Sequence, residues 1–126
     1  MINIGISEPL LELSIESILK FITKEQIYRR YLPGNFEFNM LFSSPFRKDK
    51  RPSFIIGDHK QSYKWKDFTT GERDDCFSFV SKLHNISFLE GLAFIVKDFG
   101  LFNKIKVPYD INVVKQTARY ENPRAL

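Results

Sequence analysis

The sequence predicts an α+β fold, with a small antiparallel sheet in the middle of the chain and helices on both sides of it. Apolar residues recur at helical spacing near both ends, each time behind a polar residue that can cap a helix. Between these regions apolar and polar residues alternate, which is typical of half-buried strands. The 126 residues, 43% of them hydrophobic, suffice for one compact domain with a little extra at its ends.

Two short helices are predicted before the sheet. Apolar residues at helical spacing predict the first helix over residues 14–22. Thr23 and Gln26 form the capping-box pattern of a second helix, which extends to Tyr31. Pro33 then stops this helix, because proline lacks the backbone N–H that a helix interior requires.

The predicted sheet contains up to four short strands. Alternating phenylalanines predict the first strand over residues 36–42. Residues 52–56 predict the second strand and residues 62–66 the third, since both are rich in β-branched or aromatic side chains. A fourth strand is expected to start at Phe68 and to end at the turn of residues 69–71.

Two further helices are predicted after the sheet. Asp74 or Asp75 caps the third helix, because aspartate accepts hydrogen bonds from the free amides of a first helical turn. Ser87 with Glu90 forms the capping box of the fourth helix. Gly100 ends that helix, since glycine readily adopts the left-handed conformation found there.

The pattern divides the chain into three parts. Residues 1–13 are expected to form an arm or a short helix, residues 14–101 the folded domain, and residues 102–126 a linker or docking arm. The single cysteine, Cys76, excludes a disulfide framework and predicts a buried apolar role. The N-terminus lacks the pattern of a signal peptide and no apolar run reaches membrane-spanning length, so we expect a cytoplasmic protein without a membrane partner.

The basic residues are concentrated in one region. The formal net charge is +4, and seven cations lie between positions 47 and 66. Together with one aromatic residue they are the candidate contacts to single-stranded nucleic acid: Arg47, Lys48, Lys50, Arg51, Lys60, Tyr63, Lys64 and Lys66. The other interpretation of this cluster is an ordinary solvated surface, as most charge runs are.

Several motifs in this region belong together. Ser44-Pro45-Phe46-Arg47 is followed, after a charged turn, by Pro52-Ser53-Phe54. They resemble the opening signature of the zinc-binding domain of bacterial and phage DNA primases, which reads Cys-Pro-Phe-His and then Pro-Ser-Phe. The stretch 60–65 is similar to the strand that ends in the third zinc ligand of that family, and residues 75–79 and 87–92 are similar to two of its helix starts. The resemblance implies a zinc-ribbon-like sheet flanked by helices.

The departure from the family concerns the metal. The resemblance implies one tetrahedral zinc ion, held by a Cys-x-x-His pair and a Cys-x-x-Cys pair. The corresponding positions here carry Ser44, Arg47, Trp65 and Phe68, none of which is a zinc ligand. We therefore predict a degenerate domain that folds without a metal or other cofactor. In this prediction Trp65 and Phe68 turn inward to fill the former metal position and Arg47 stacks on Trp65; in the alternative, the rings face outward and stack on bases.

The resemblance also implies a function. The family domain binds the template strand and helps to choose the start site, while a separate catalytic domain makes the primer. We accordingly expect a non-catalytic module that binds single-stranded template DNA within a DNA primase or a primase-like replication protein, encoded by a phage or a mobile element. The expected partners are a primase catalytic domain, a helicase or another replication protein. The alternative is a primase-derived scaffold that now docks onto such a protein partner.

No catalytic site is predicted in the chain. Asp74 and Asp75 suggest a carboxylate pair for metal-dependent phosphoryl transfer, but helix capping accounts for them and no second acidic motif accompanies them. Whether the chain forms part of a primase or acts beside one is left open by the sequence.

Overall fold

The computed structural model of the chain describes residues 9–32, 34–48 and 51–108. Four helices and a three-stranded antiparallel sheet follow one another in this part of the chain. The elements are α1 (Ile15–Leu19), α2 (Lys24–Tyr31), β1 (Phe54–Gly57), β2 (Lys64–Asp67), β3 (Arg73–Asp74), α3 (Cys76–His84) and α4 (Phe88–Asp98). The predicted α+β class, with helices before and after a small antiparallel sheet, is confirmed.

The helix starts lie where the capping patterns predict them. The Thr23 hydroxyl accepts a hydrogen bond from the Gln26 backbone N–H, and Ser87 with Glu90 forms the equivalent box at α4. Asp75, rather than Asp74, caps α3. Gly100 follows α4 with a left-handed φ of 67°, as predicted. The prediction for Pro33 falls on a residue outside the described ranges.

The first predicted strand is wrong. Residues 36–42 form a loop with a turn at Phe38 and Asn39; Phe42 pairs with Phe54 through a single bridge, and the Asn39 N–H donates to Ile56 O at 2.7 Å. Asn39 adopts a left-handed φ of 67°, and its side-chain amide donates a hydrogen bond of 2.7 Å to Asp58 Oδ1. This turn brings alternate phenylalanine rings onto the core without a strand, so the period of two reflects packing of a folded-back loop.

The remaining strands are shifted from their predicted bounds. The second and third predicted strands are present as β1 and β2, each shifted towards the C-terminus of the chain. The strand predicted to start at Phe68 is wrong, because residues 68–70 form a turn and β3 begins only at Arg73. In the observed register Phe54 pairs with Asp67 and Lys66 pairs with Arg73.

The core lies between one face of the sheet and the helices. Its largest fully buried side chains come from β1, all four helices and Ile105 after α4, and include Tyr28, Phe54, Phe77 and Phe79. Cys76 is fully buried among them, as predicted, and burial raises the pKa of its thiol to about 12. The thiol therefore stays protonated at neutral pH and contributes as an apolar group.

The two ends of the described chain meet. Leu11 pairs with Ile105 in a parallel bridge, and its backbone N–H donates to Lys104 O at 2.9 Å. Ile105 is fully buried. The domain boundaries at residues 13 and 101 stay a prediction, and most of both predicted arms lies outside the described residues.

In the described ranges no single helix is long and apolar enough to cross a membrane. Only α3 and α4 taken together, with a bend of 96° between them, reach that length and apolarity.

Candidate nucleic-acid interface

Trp65 is an inward-facing residue of β2. Its side chain is buried, and its ring stacks on Phe54 with centroids 5.6 Å apart and planes at 15°. Phe46 meets the same ring edge-on at 5.4 Å, and the indole Nε1–H donates to Asp75 O at 2.9 Å. The prediction that Trp65 fills the interior is confirmed, and Trp65 as an outward stacking platform is wrong.

Phe68, unlike Trp65, does not face the interior. The prediction that it turns inward is wrong, because 55% of its side chain is exposed. The reason is the length of β2: the strand continues through Asp67, so that Trp65 and Asp67 face the interior. Phe68 lies in the turn that follows, with its exposed ring beside Lys66. Asp67 therefore takes the place near the core that sequence reasoning gave to Phe68.

Asp67 is buried and is paired with Arg47. Arg47 Nη1 lies 2.6 Å from Asp67 Oδ2 and Nη2 lies 2.8 Å from Oδ1, a bidentate ion pair. Arg47 Nη2 also donates to Ser53 Oγ at 3.3 Å, and the Thr69 N–H donates to Asp67 Oδ1 at 2.9 Å. The predicted stacking of Arg47 on Trp65 is wrong, because this carboxylate holds the guanidinium instead.

The ion pair sets the charge state of Asp67. Hydrogen bonds from Arg47 hold the pKa of this carboxyl below its usual value, although desolvation acts in the opposite direction. Backbone amides of Thr69 and Thr70 add to the lowering. The carboxylate is therefore ionised at neutral pH, and its charge joins segment 44–47 to the end of β2.

This pairing predicts a loss of stability in acid. As pH falls, the unfolded carboxyl of Asp67 takes up a proton first, because its folded pKa is lowered. We expect its stabilising contribution to be complete above about pH 5 and to be lost as pH falls through about 3.9 towards the folded pKa. Urea unfolding of the wild type and of Asp67→Asn between neutral and acid pH checks this. The difference in free energy of unfolding should narrow in acid; a constant difference would contradict the prediction.

Three cations lie on the outer face of the sheet: Lys64, Lys66 and Arg73, named here the basic face. Lys66 and Arg73 stand directly opposite each other in the register of β2 and β3. Within the described ranges none of the three forms an ion pair with a carboxylate. Like charges in directly opposed positions destabilise a sheet, so this arrangement favours an anionic ligand.

The other predicted contacts are spread around the sheet. Lys48 and Arg51 are exposed beside it, and Lys60 is exposed in the 3₁₀ turn that follows β1. Lys50 lies outside the described residues. Arg47 belongs to the ion pair already described and is held away from a free role at the surface.

Tyr63 does not join the basic face. Its ring packs edge-on against Phe38 with centroids 5.2 Å apart, and its hydroxyl lies 3.5 Å from Glu25 Oε1 of α2. Its backbone carbonyl accepts a hydrogen bond of 2.6 Å from the buried Tyr28 hydroxyl. These contacts make Tyr63 a link between β2 and the second helix.

Comparison with known proteins assigns the fold to a family. Residues 34–113 match the CHC2 zinc finger. The chain belongs to the CHC2 zinc finger family. It is also similar to a DNA primase of Clostridium acetobutylicum, with 33% identity over 75 residues. That match covers 60% of this chain and 11% of the primase, so the chain corresponds to a small part of that protein. The resemblance found in the sequence is confirmed, and the domain is primase-related.

This CHC2 zinc finger does not have the side chains that its family name implies. Zinc in such sites is bound by cysteine sulfur and histidine nitrogen, whereas the four positions hold Ser44, Arg47, Trp65 and Phe68. Ser44 is buried and its hydroxyl accepts a hydrogen bond from the Phe46 N–H at 3.1 Å. Among the described residues, no three His, Cys, Asp or Glu side chains are grouped so that they could hold a metal ion. The residues present do not fit zinc.

Segment 44–47 and the end of β2, which together would hold the zinc ion in the family, are connected by other contacts. The Arg47–Asp67 ion pair crosses from the first segment to the second, and Phe46 packs on Trp65 beside it. The Phe68 N–H donates to Ser53 O at 2.8 Å, which adds a backbone connection. Polar and aromatic contacts thus connect the segments of this CHC2 zinc finger that a zinc ion would otherwise hold together.

Proposed function

We propose that the domain binds single-stranded DNA, as the template-binding module of a DNA primase or of a primase-like replication protein. The observation that carries this proposal is the opposed pair Lys66 and Arg73, which have no carboxylate partner in the described part of the chain. Phosphates of a nucleic-acid backbone would relieve the repulsion between these cations. Membership of the CHC2 zinc finger family and the primase relative support the same function.

Cations near the sheet extend the proposed surface. Lys64 lies two residues before Lys66 on the same face of β2. The exposed side chains of Lys48, Arg51 and Lys60 supply further phosphate contacts in this proposal. Such contacts fix the position of the strand and carry no base sequence, so we propose binding with little sequence preference from these residues.

Removing the opposed cations is expected to weaken binding and to reduce its dependence on salt. In the double variant Lys66→Gln/Arg73→Gln, the slope of log affinity against log salt should fall by about 1.4, at about 0.7 for each phosphate contact on a single strand. Fluorescence anisotropy with a short labelled oligonucleotide over a salt series measures this. Stability should stay equal or rise slightly, because the repulsion between the two positions is removed.

A matched variant separates this surface from net charge. Lys20→Gln/Lys104→Gln removes the same charge from exposed positions outside the sheet and should keep the salt slope of the wild type. If both double variants lost affinity and salt dependence equally, the effect would come from the overall charge of the protein and not from this surface. A wild type that does not bind single-stranded DNA even at low salt would overturn the proposal.

A docking function is the second candidate, and one observation favours it. Met40 and Leu41 are adjacent and exposed, at 60% and 52% of their side chains. Two neighbouring apolar residues at the tip of a turn suit contact with a protein partner. Met40→Ser/Leu41→Ser should leave DNA binding unchanged if the first proposal holds, whereas absence of DNA binding by the wild type would favour docking.

The proposal extends to the surroundings of the domain. Catalysis would come from a primase catalytic domain, and a helicase or another replication protein would be the neighbour. We also propose a cytoplasmic location, which a single buried cysteine supports, and an origin in a phage or a mobile element, which the replaced zinc ligands support.

A further inference from the structure

Phe68 is an exposed aromatic residue at a fixed place on the sheet. It directly follows β2, and 55% of its side chain is exposed. Its backbone N–H is bound to Ser53 O at 2.8 Å, and the preceding Asp67 is held by Arg47 and by the Thr69 amide. The ring is therefore carried on a firmly bonded backbone, although it faces the solvent.

The surroundings of the ring are basic. Lys66 Nζ lies 4.7 Å from the centroid of the Phe68 ring, within the range of a cation–π contact. Across the described ranges, no other aromatic ring stacks on Phe68. Arg73 stands opposite Lys66 on the next strand. An open ring beside uncompensated cations has the two elements of a site for single-stranded nucleic acid, a stacking surface and phosphate contacts.

The two lysines of β2 and the Phe68 ring are neighbours, although Phe68 belongs to the turn that follows the strand. Lys64, Lys66 and Phe68 are each two residues apart along the chain, and Lys64 and Lys66 lie on the same outer face of β2. Successive side chains on one face of a strand, here Lys64 and Lys66, are about 6.6 Å apart, and Lys66 Nζ lies 4.7 Å from the Phe68 ring centroid. A single strand that lies along these three side chains would meet two cations and then the ring.

We propose that Phe68 is a stacking platform for one nucleobase of a single-stranded DNA bound on the basic face. This inference rests on the proposed function and specifies its contact with a base. The ring can stack on any of the four bases, since each has a π-face, so Phe68 adds affinity without sequence preference. It favours single strands over duplexes, because the bases of a duplex are stacked on one another and their faces are covered.

The test uses the whole chain with Phe68→Ala and Phe68→Trp. Phe68→Ala should bind a labelled oligothymidine about 5- to 150-fold more weakly than the wild type, the factor that corresponds to about 1–3 kcal/mol per stacked base. Phe68→Trp should restore the affinity. The salt slope should be the same for all three proteins, because the phosphate contacts are untouched.

An abasic oligonucleotide of the same length supplies the matched ligand. Wild type and Phe68→Ala should bind it equally, since no base is present to stack. If the wild type binds oligothymidine in a salt-dependent way and Phe68→Ala binds it equally well, the stacking platform is overturned and DNA binding stands. If the wild type binds neither oligonucleotide at low salt, the proposed function is overturned and the platform with it. Thermal melts of the variants verify that they are folded.

Discussion

Arg47→Ala is expected to lower the free energy of unfolding by about 3–5 kcal/mol, the usual cost of removing one partner of a buried ion pair. The Asp67 carboxylate is fully buried, and it would lose two hydrogen bonds of 2.6 and 2.8 Å at once. The Thr69 and Thr70 amides would remain as its partners and would not neutralise the charge. Urea unfolding at neutral pH measures the loss.

A double variant separates the ion pair from simple packing. In Arg47→Met/Asp67→Asn the buried charge is absent, and the new amide oxygen can still accept from the Thr69 N–H. Most of the lost stability should return, because replacing a buried pair as a whole is far less costly than leaving half of it. Arg47→Met alone keeps a hydrocarbon stem but leaves the Asp67 carboxylate without its partner; a double variant as unstable as Arg47→Met would show that the unpaired charge is not the cause of the loss.

The helix starts could be predicted because their determinants are local. The side chains of Thr23 and Gln26, and those of Ser87 and Glu90, lie three residues apart and satisfy each other's backbone amides. No contact with a distant part of the chain is needed for this pattern. The prediction of a strand over residues 36–42 was wrong for the opposite reason, because the conformation of this segment depends on a hydrogen bond from the Asn39 side chain to the distant Asp58.

The site could be predicted only in part. The burial of Trp65 follows from its correspondence to an inward-facing ligand position, and the structure confirms it. The role of Asp67 was missed because a Cys-x-x-Cys spacing implies a turn directly after position 65. In the structure β2 continues to Asp67, so that Asp67 faces the interior and Phe68 is exposed. Arg73 was missed because its place opposite Lys66 depends on the register of two strands, which the sequence does not specify.

Trp65→Ala is the second substitution with a large expected effect, and it should lower the free energy of unfolding by about 3–5 kcal/mol, as for other buried tryptophans. The variant loses the stack on Phe54 and the edge contact of Phe46. It also removes the indole donor that binds Asp75 O at 2.9 Å, at the residue that caps α3. A thermal melt of the variant beside the wild type measures the effect.

Phe68→Ala is the matched control for Trp65, because both residues stand at positions where the family has zinc ligands. Its ring is 55% exposed, so its loss should change stability by no more than about 0.5 kcal/mol. Unequal effects at the two positions would mean that Trp65 has become part of the core while Phe68 has become part of the surface. Equal effects would contradict that division of roles.

The same melts with and without a chelator test the replacement of the metal. A structural zinc ion contributes roughly 10–16 kcal/mol of apparent binding free energy in small fingers, so its removal would unfold the domain. We expect the melting temperature of the wild type to be the same with EDTA as without it, because Ser44, Arg47, Trp65 and Phe68 offer no thiolate or imidazole. If the wild type unfolded with EDTA, other side chains would bind a metal. That metal, and not the ion pair between Arg47 and Asp67, would then hold segment 44–47 against the end of β2.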